Sequence, residues 1–414
     1  MRLEAEADDT RLLHWIAQAF RDSDGPVGIA VSGGGDSMAL LHLAHRWSRT
    51  TGRPIAAVTV DHTLRDGSDR EAAAVQEWCA AAGIDHTTLV WNTWDGHGNV
   101  QAAARTARYR LIADWADSKG IATLALGHTR DDAVETFLMR LARKAGIDGL
   151  AVMAHRFTRH DLTWLRPLWL VPRADLRAYL RRHEVRWIDD PSNDDVDFER
   201  IRIRKALDLL ADTGLRPDAL HHAAVAAAEA RDALDHYTRQ EARAHSRMDG
   251  PDLILTLPAD LPAETARRLR AKAIQWMGRL DYPPRHSSME HLMTGLALEG
   301  KHTLAGCLVT REGNSLRIAR ELQAVRSLST PTTEFWDGKW AFDGPHADDL
   351  DLCPLGQHIA QCPNWRATGL PRASLMAAPA VWKGDTLVAA PLAGHQNGWS
   401  ARIVADFQSW LSAH

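Results

Sequence analysis

From Ser32 to Ser37 the chain reads Ser-Gly-Gly-Gly-Asp-Ser, with three glycines, two hydroxyls and one carboxylate in six residues. Bare backbone ahead of a helix exposes successive N–H groups, and the helix adds the positive end of its dipole, so an anion is the natural guest. Ser32 and Ser37 add hydroxyl donors to Gly33, Gly34 and Gly35. Asp36 would repel a phosphate unless a cation lies between them, which points to Mg²⁺ or an incoming ammonium group. The stretch is not a Walker A loop, because it has no lysine, and Met38 stands where a dinucleotide fingerprint needs its third glycine. Ala30-x-Ser32-x-Gly34 approaches a nucleophile elbow with one glycine lost, but an acid beside that serine is awkward for an oxyanion hole.

A second group lies in Gly127-His128-Thr129-Arg130-Asp131-Asp132-Ala133-Val134-Glu135-Thr136. Asp132 and Glu135 are three apart on a predicted helix and therefore share a face. Two carboxylates so placed can hold an ammonium group or accept a proton. Acids in a first helical turn also serve the macrodipole, so capping is the competing reading. His62 and His128 follow predicted strands, where each could meet phosphate, move a proton, or simply be hydrogen-bonded in the structure. Arg105 and Arg108 share a predicted helix, and Arg143 and Lys144 close another. Arg200, Arg202 and Arg204 alternate like one side of a strand, as a phosphate-binding stripe or a salt-bridged surface would. Asp190-Pro191-Ser192-Asn193 by itself reads as a turn.

The elements that must position these residues alternate up to about residue 190. Apolar runs at 27–31, 55–61, 87–91 and 122–128 read as buried strands, and 37–49, 68–82, 99–118 and 131–144 as helices. This is the pattern of an α/β, doubly wound, mostly parallel sheet, whose ligands sit at the carboxyl ends of the strands. The polar residues after the first, second and fourth runs would converge there. Beyond, a helical stretch begins at residues 198–210 and, alanine-rich, extends to about 247. Residues 301–321 read as a hairpin turned at Gly313–Asn314, and Pro/Gly-punctuated short strands follow to a helix near 402–412. The expected domains are 1–210, a mainly helical 211–328, and a small α+β 329–414.

Composition narrows the class. At 414 residues and 45% hydrophobic content the chain suits two or three globular domains, and a net charge of -4 gives no sign of a wholesale nucleic-acid coat. Of 49 basic residues only seven are lysines, a bias toward bidentate phosphate recognition or toward a GC-rich genome. Four cysteines are too few for a disulfide framework; Cys353, His358 and Cys362 have zinc-ligand types but lack a fourth. The acidic N-terminus is wrong for a signal peptide, and no apolar run is long enough to span a membrane, so a cytoplasmic location is expected.

Together these motifs resemble a known family. Residues 32–37 look like the SGGxDS pyrophosphate loop of the N-type ATP pyrophosphatase (PP-loop) group, of adenine nucleotide alpha hydrolase-like fold. Residues 60–72, 99–116, 127–153, 166–204, 301–321 and 379–391 are similar, in order, to segments of the tRNA(Ile)-lysidine synthetases. Ala133 stands where that family often has glutamine, and Lys144–Ala145 replaces a glycine-containing pair. The resemblance implies a ligase that uses ATP and Mg²⁺ to adenylate the wobble cytidine of tRNA(Ile) with a CAU anticodon, then joins L-lysine to C2. It implies catalytic roles for Asp36, Arg108, His128 and Asp132, and ATP contacts from Ser32 to Ser37 and His62. It assigns lysine to Asp132, Glu135 and Arg204, and tRNA to Arg105, Arg143, Lys144, Arg200 and Arg202. The protein would act as a monomer or homodimer. Rival readings are a tRNA thiolase of the same loop group, which would want paired cysteines, an ATP-to-AMP ligase acting without tRNA, and a non-catalytic RNA-binding module.

Overall fold

A computed structural model of the chain describes residues 2–63, 67–92, 94, 100–189 and 199–413. It divides into two compact units, Met1–Arg231 and Asp232–His414.

The first unit contains α1 (Arg2–Ala19), β1 (Val27–Ala30), α2 (Gly35–Thr51), β2 (Ile55–Asp61), α3 (Ser68–Ala82), β3 (Asp85–Val90), α4 (Val100–Ser118), β4 (Thr123–Leu126), α5 (Arg130–Ala142) and α6 (Ile147–Leu150). There follow β5 (Arg156–Arg159), β6 (Leu162–Leu165), α7 (Arg173–Arg182), α8 (Glu199–Asp212) and α9 (Pro217–His245), with the division between units falling inside α9. Six strands form one sheet in the order β3-β2-β1-β4-β6-β5, parallel except for the β5 edge. The alternation of side chains sorts the two faces. Ala57 and Ala125 turn to a core shared with α1, α2, α3 and α7, whereas Ala56, Val58, Leu124 and Leu126 turn to α4. The strand order reverses between β1 and β4, which makes their carboxyl ends the switch point where such sheets bind ligands.

Arg200, Arg202 and Arg204 lie on α8, so the helical reading of this stretch holds and the strand-like alternation of its arginines does not set its form. Alternating Arg and Ile mimics a strand over five residues, but buried Leu207, with Phe137 of α5 and Leu220 of α9, belongs to one cluster that holds the segment helical. The helix places Arg200 and Arg204 on one face and turns Arg202 roughly 200° away from Arg200.

The second unit begins with β7 (Ser246–Asp249) and β8 (Asp252–Leu255), then α10 (Ala263–Gly278) and α11 (His286–Glu299). β9 (Lys301–Leu304), β10 (Cys307–Glu312) and β11 (Ser315–Arg320) complete an antiparallel sheet of order β7-β8-β11-β10-β9. The hairpin turns at Gly313–Asn314 as the sequence predicts, and a further turn at Ala305–Gly306 adds a third strand. Leu253, Val309 and Ile318 of this sheet share a core with Leu269 and Met277 of α10 and Leu292 of α11. Then come α12 (Leu322–Val325), β12 (Thr330–Pro331), β13 (Trp340–Asp343), β14 (Asp351–Pro354), α13 (Arg372–Ala377), β15 (Pro379–Lys383), β16 (Thr386–Ala389), β17 (Ser400–Ile403) and α14 (Phe407–Ala413). Trp336, Trp340 and Trp399 fill a separate core in this stretch. Cys362 is buried in another, and His358 stands edge-on to Trp382; no three metal-ligating side chains gather among the described residues.

Candidate active site

The glycine loop links β1 to α2. Gly33 has φ +83, a left-handed conformation that only glycine takes cheaply, and its carbonyl accepts from the Ile188 N–H at 3.0 Å. The Ser37 hydroxyl donates to the Gly34 carbonyl at 2.9 Å and accepts from the Ser32 N–H at 3.1 Å, so it clasps the loop from within. Gly34 caps α2 without any side-chain hydrogen bond, and a Cβ there would meet nothing closer than 3.7 Å. The first N–H groups of α2 are thus left for an anion. Gly127, just beyond β4, packs so tightly on this corner that a Cβ would come within 2.9 Å of Ser37 Cα.

Asp36, Asp132 and Glu135 converge on one guanidinium. Arg173, the first residue of α7, donates Nε–H to Asp36 Oδ2 at 2.9 Å, Nη2–H to Asp132 Oδ1 at 2.8 Å and Nη1–H to Glu135 Oε1 at 3.0 Å. The turn is fixed from the other side, since the Arg173 backbone N–H donates to Asp131 Oδ2 at 2.8 Å. Arg200 bonds Glu135 Oε2 at 2.6 Å and Asp132 Oδ1 at 3.2 Å, and Arg204 bonds Glu135 Oε1 at 3.0 Å. Three carboxylates are therefore balanced by three guanidiniums. Glu135 is fully buried, and a lone charge in its place would be very costly. The capping reading of Asp132 holds as well: its Oδ2 accepts from the Thr129 N–H and Thr129 returns the bond, a capping box at the start of α5. One side chain thus serves both helix and site.

The surroundings set the acids apart. Burial alone would raise Asp132, but Arg173 and Arg200 hold its carboxyl below the ordinary range. For Asp36 burial prevails over Arg173 and pushes the carboxyl up, and its Oδ1 is buried with no partner among the described residues.

The two histidines stand after β2 and β4, the neighbours of β1 on either side, and each meets an arginine. Arg108 of α4 donates to His62 Nε2 through Nε at 3.1 Å and Nη2 at 2.9 Å. Arg166, following β6, donates Nε–H to His128 Nδ1 at 3.0 Å. Burial, then the adjacent guanidinium, depresses both histidines to about 4, so both rings are neutral at physiological pH.

Other sequence-selected residues lie outside this convergence. Arg105 reaches the Tyr109 hydroxyl at 3.3 Å, Arg143 pairs with Glu199, and Lys144 lies just beyond α5 at φ +56. Asp190 to Asn193 fall outside the described residues. Sequence reasoning missed Arg173, Arg166 and the Trp187–Ile188 pair beside Gly33 and Gly35. A hint existed: three acids expected near one phosphate site require cations, but nothing local says which arginines supply them. Cys79, the one cysteine before residue 300, is buried and its thiol is pushed up to about 12, so it offers no thiolate for sulfur chemistry.

Residues 5–209 match the PP-loop domain family. The chain is 43% identical over 407 residues to the tRNA(Ile)-lysidine synthase of Ruegeria pomeroyi, covering 97% of each protein. It is 37% identical over 308 residues to that of Rhodopseudomonas palustris, covering 70% of this chain and 89% of the relative. Among solved structures, the U34-tRNA thiolase NcsA from Methanococcus maripaludis aligns with a TM-score of 0.46 and 15% identity, over 54% of this chain and 78% of its own, a likeness too slight to bear on function. Identity of that depth over nearly the whole length places the chain: it belongs to the tRNA(Ile)-lysidine synthase family.

Proposed function

We propose that this enzyme joins L-lysine to C2 of the wobble cytidine of tRNA(Ile) bearing a CAU anticodon, through an adenylated cytidine, with release of diphosphate and AMP. The observation that carries the reading is the convergence of Asp36 with Asp132 and Glu135 through Arg173, which joins an anion loop to an acidic pocket. Such a pairing suits a reaction between a polyphosphate and an amino acid that carries its own positive charge.

In the first step the cytidine O2 attacks the α-phosphate and diphosphate leaves. The N–H groups at the start of α2 and the Ser32 hydroxyl would hold the departing charge. Mg²⁺ fits beside them: Asp36 Oδ1 is an unpartnered buried acceptor, and one carboxylate plus phosphate oxygens is the usual set for this ion. Bound there, it would offset phosphate charge. In the second step the lysine ε-amine attacks C2, the C2–O bond breaks and AMP departs with the electron pair. Asp132, held below the ordinary range, is suited to hold the ammonium group and poorly suited to take its proton. Glu135, the other carboxylate set against the ammonium group, is the one placed to accept that proton as the amine attacks.

Arg200 and Arg204 are the more exposed members of the cluster, with side chains 42% and 35% exposed against 15% for Arg173. A lysine ammonium would take their place on Glu135, leaving both guanidiniums to meet the α-carboxylate of the same amino acid. Arg105, Arg143, Lys144 and Arg202 are assigned to tRNA phosphates. The two large cores of the second unit are read as supports for the body of the tRNA.

Labelled lysine incubated with ATP, Mg²⁺, the protein and unmodified tRNA(Ile) of CAU anticodon should appear in the tRNA. Release of AMP without tRNA, or transfer to tRNA of sulfur instead of lysine, rejects the assignment.

A further inference from the structure

Arg166 belongs neither to the glycine loop nor to the carboxylate cluster, yet it is a cation only 6% exposed at the same edge of the sheet. β6 pairs with β4 through Ala125 and Leu165, so Arg166 leaves its strand beside the chain that continues to Gly127 and His128. The guanidinium lies 4.4 Å from the Phe157 ring centroid, and its Nη1–H donates to the Ala154 carbonyl. Those contacts aim Nε–H at His128 Nδ1, 3.0 Å away. A guanidinium donates only, and does not lose its proton near neutrality. Nδ1 must therefore present a lone pair, and the single proton of the neutral ring sits on Nε2, which has no partner among the described residues.

We propose that Arg166 is a positioning residue for the reaction: it locks His128 as the Nε2–H tautomer, so that the ring gives a hydrogen bond to a substrate oxygen and takes no proton there. The charged groups around the ring are Arg166, Asp132 at the start of α5, Arg105 on α4 and Arg200 on α8. Three cations against one anion disfavour an imidazolium. The substrate oxygen rests on the ligation reading above, whereas the tautomer does not.

The test is ¹⁵N spectroscopy of histidine-labelled full-length protein at pH 7, with the His128 signals assigned by their loss in His128→Gln. An unprotonated Nδ1 with a protonated Nε2 is expected, and Arg166→Met should give mixed tautomers. In that variant kcat for diphosphate release should fall on the order of tenfold to a hundredfold, with KM for ATP changed less than about threefold. A glutamine amide can donate from the place of Nε2–H, so His128→Gln should retain more turnover than His128→Glu, which can only accept. Adding Arg166→Met to His128→Gln should cost no more than about twofold further, because the arginine acts through the ring. A protonated Nδ1 in the wild type, or equal losses in both backgrounds, overturns the proposal. Should Arg166→Met fail to fold, the wild-type tautomer and the contrast between His128→Gln and His128→Glu still decide it. A correct tautomer without lysine transfer would sink only the ligation reading; lysine transfer with the wrong tautomer would sink only this one.

Discussion

Asp36 and Arg173 are the pair whose removal separates chemistry from stability. Asp36 ionises at a cost, because burial prevails over its one arginine contact. Asp36→Asn should therefore melt at or above the wild-type temperature while lysidine formation falls by at least about a hundredfold, measured by lysine incorporation beside a thermal scan. A variant with full turnover would take Asp36 out of the mechanism. Arg173→Met acts in the opposite sense. It strips Asp36 of its partner and leaves Asp132 and Glu135 to Arg200 and Arg204 alone, so a loss of about 3–5 kcal/mol is expected in chemical denaturation. A loss under about 1 kcal/mol would mean that solvent already screens the cluster. The acids of this site were legible from their spacing; the arginines were not, because α7 and α8 bring them in from 38 to 137 residues away.

At the scale of elements, two glycines at the β1–α2 corner should behave differently. Gly127→Ala forces a methyl to within 2.9 Å of Ser37 Cα, so β4 and α2 must part, at about 1–3 kcal/mol of stability and with weaker ATP binding. Gly34→Ala meets only the Ser32 hydroxyl, at 3.7 Å, with φ -70 and ψ 160, a conformation alanine takes readily, and should leave the melting temperature nearly unchanged. Its methyl would nonetheless stand where phosphate must approach, raising the KM for ATP about tenfold. Tight ATP binding by Gly34→Ala in a titration would remove the loop from the phosphate site. The strands and helices around this corner followed the sequence closely, since a parallel sheet covered on both faces writes itself as apolar runs between helical periods. α8 carried two signals, a helical stretch that begins there and an Arg–Ile alternation that fits a strand, and packing against α5 decides between them.

For the whole molecule, acid should act on the two units in opposite directions. In the first unit His42, His62 and His128 are depressed to about 4, so the folded form refuses protons that the unfolded chain accepts below 6.5. The stability they provide is complete above pH 6.5 and is lost as pH falls from there toward 4. In the second unit Asp252 is raised to about 6 by burial, despite bonds from Ser374 and Arg317, so its ionisation costs stability as pH rises from 3.8 to 6. Calorimetry between pH 7 and 5 should show the first unit melting progressively earlier while the second holds or rises. Two transitions moving down in parallel would contradict the burial of these groups. At constant pH, tRNA affinity should fall steeply with added salt, linearly in a plot of log K against log salt. A flat line would rule out phosphate contacts as the main grip on the tRNA.

Local order along the chain determined the parallel sheet, the anion loop at its switch point and the paired acids on α5, because glycine φ, strand alternation and helical spacing are short-range properties of neighbouring residues. Tertiary structure alone decided the rest: that Asp132 is at once a cap and a site residue, that Arg173 gathers three carboxylates, and that Arg166 and Arg108 set the protons of two histidines. Charge pairing in a buried site depends on distance in space, and spacing along the chain does not encode which cation will arrive.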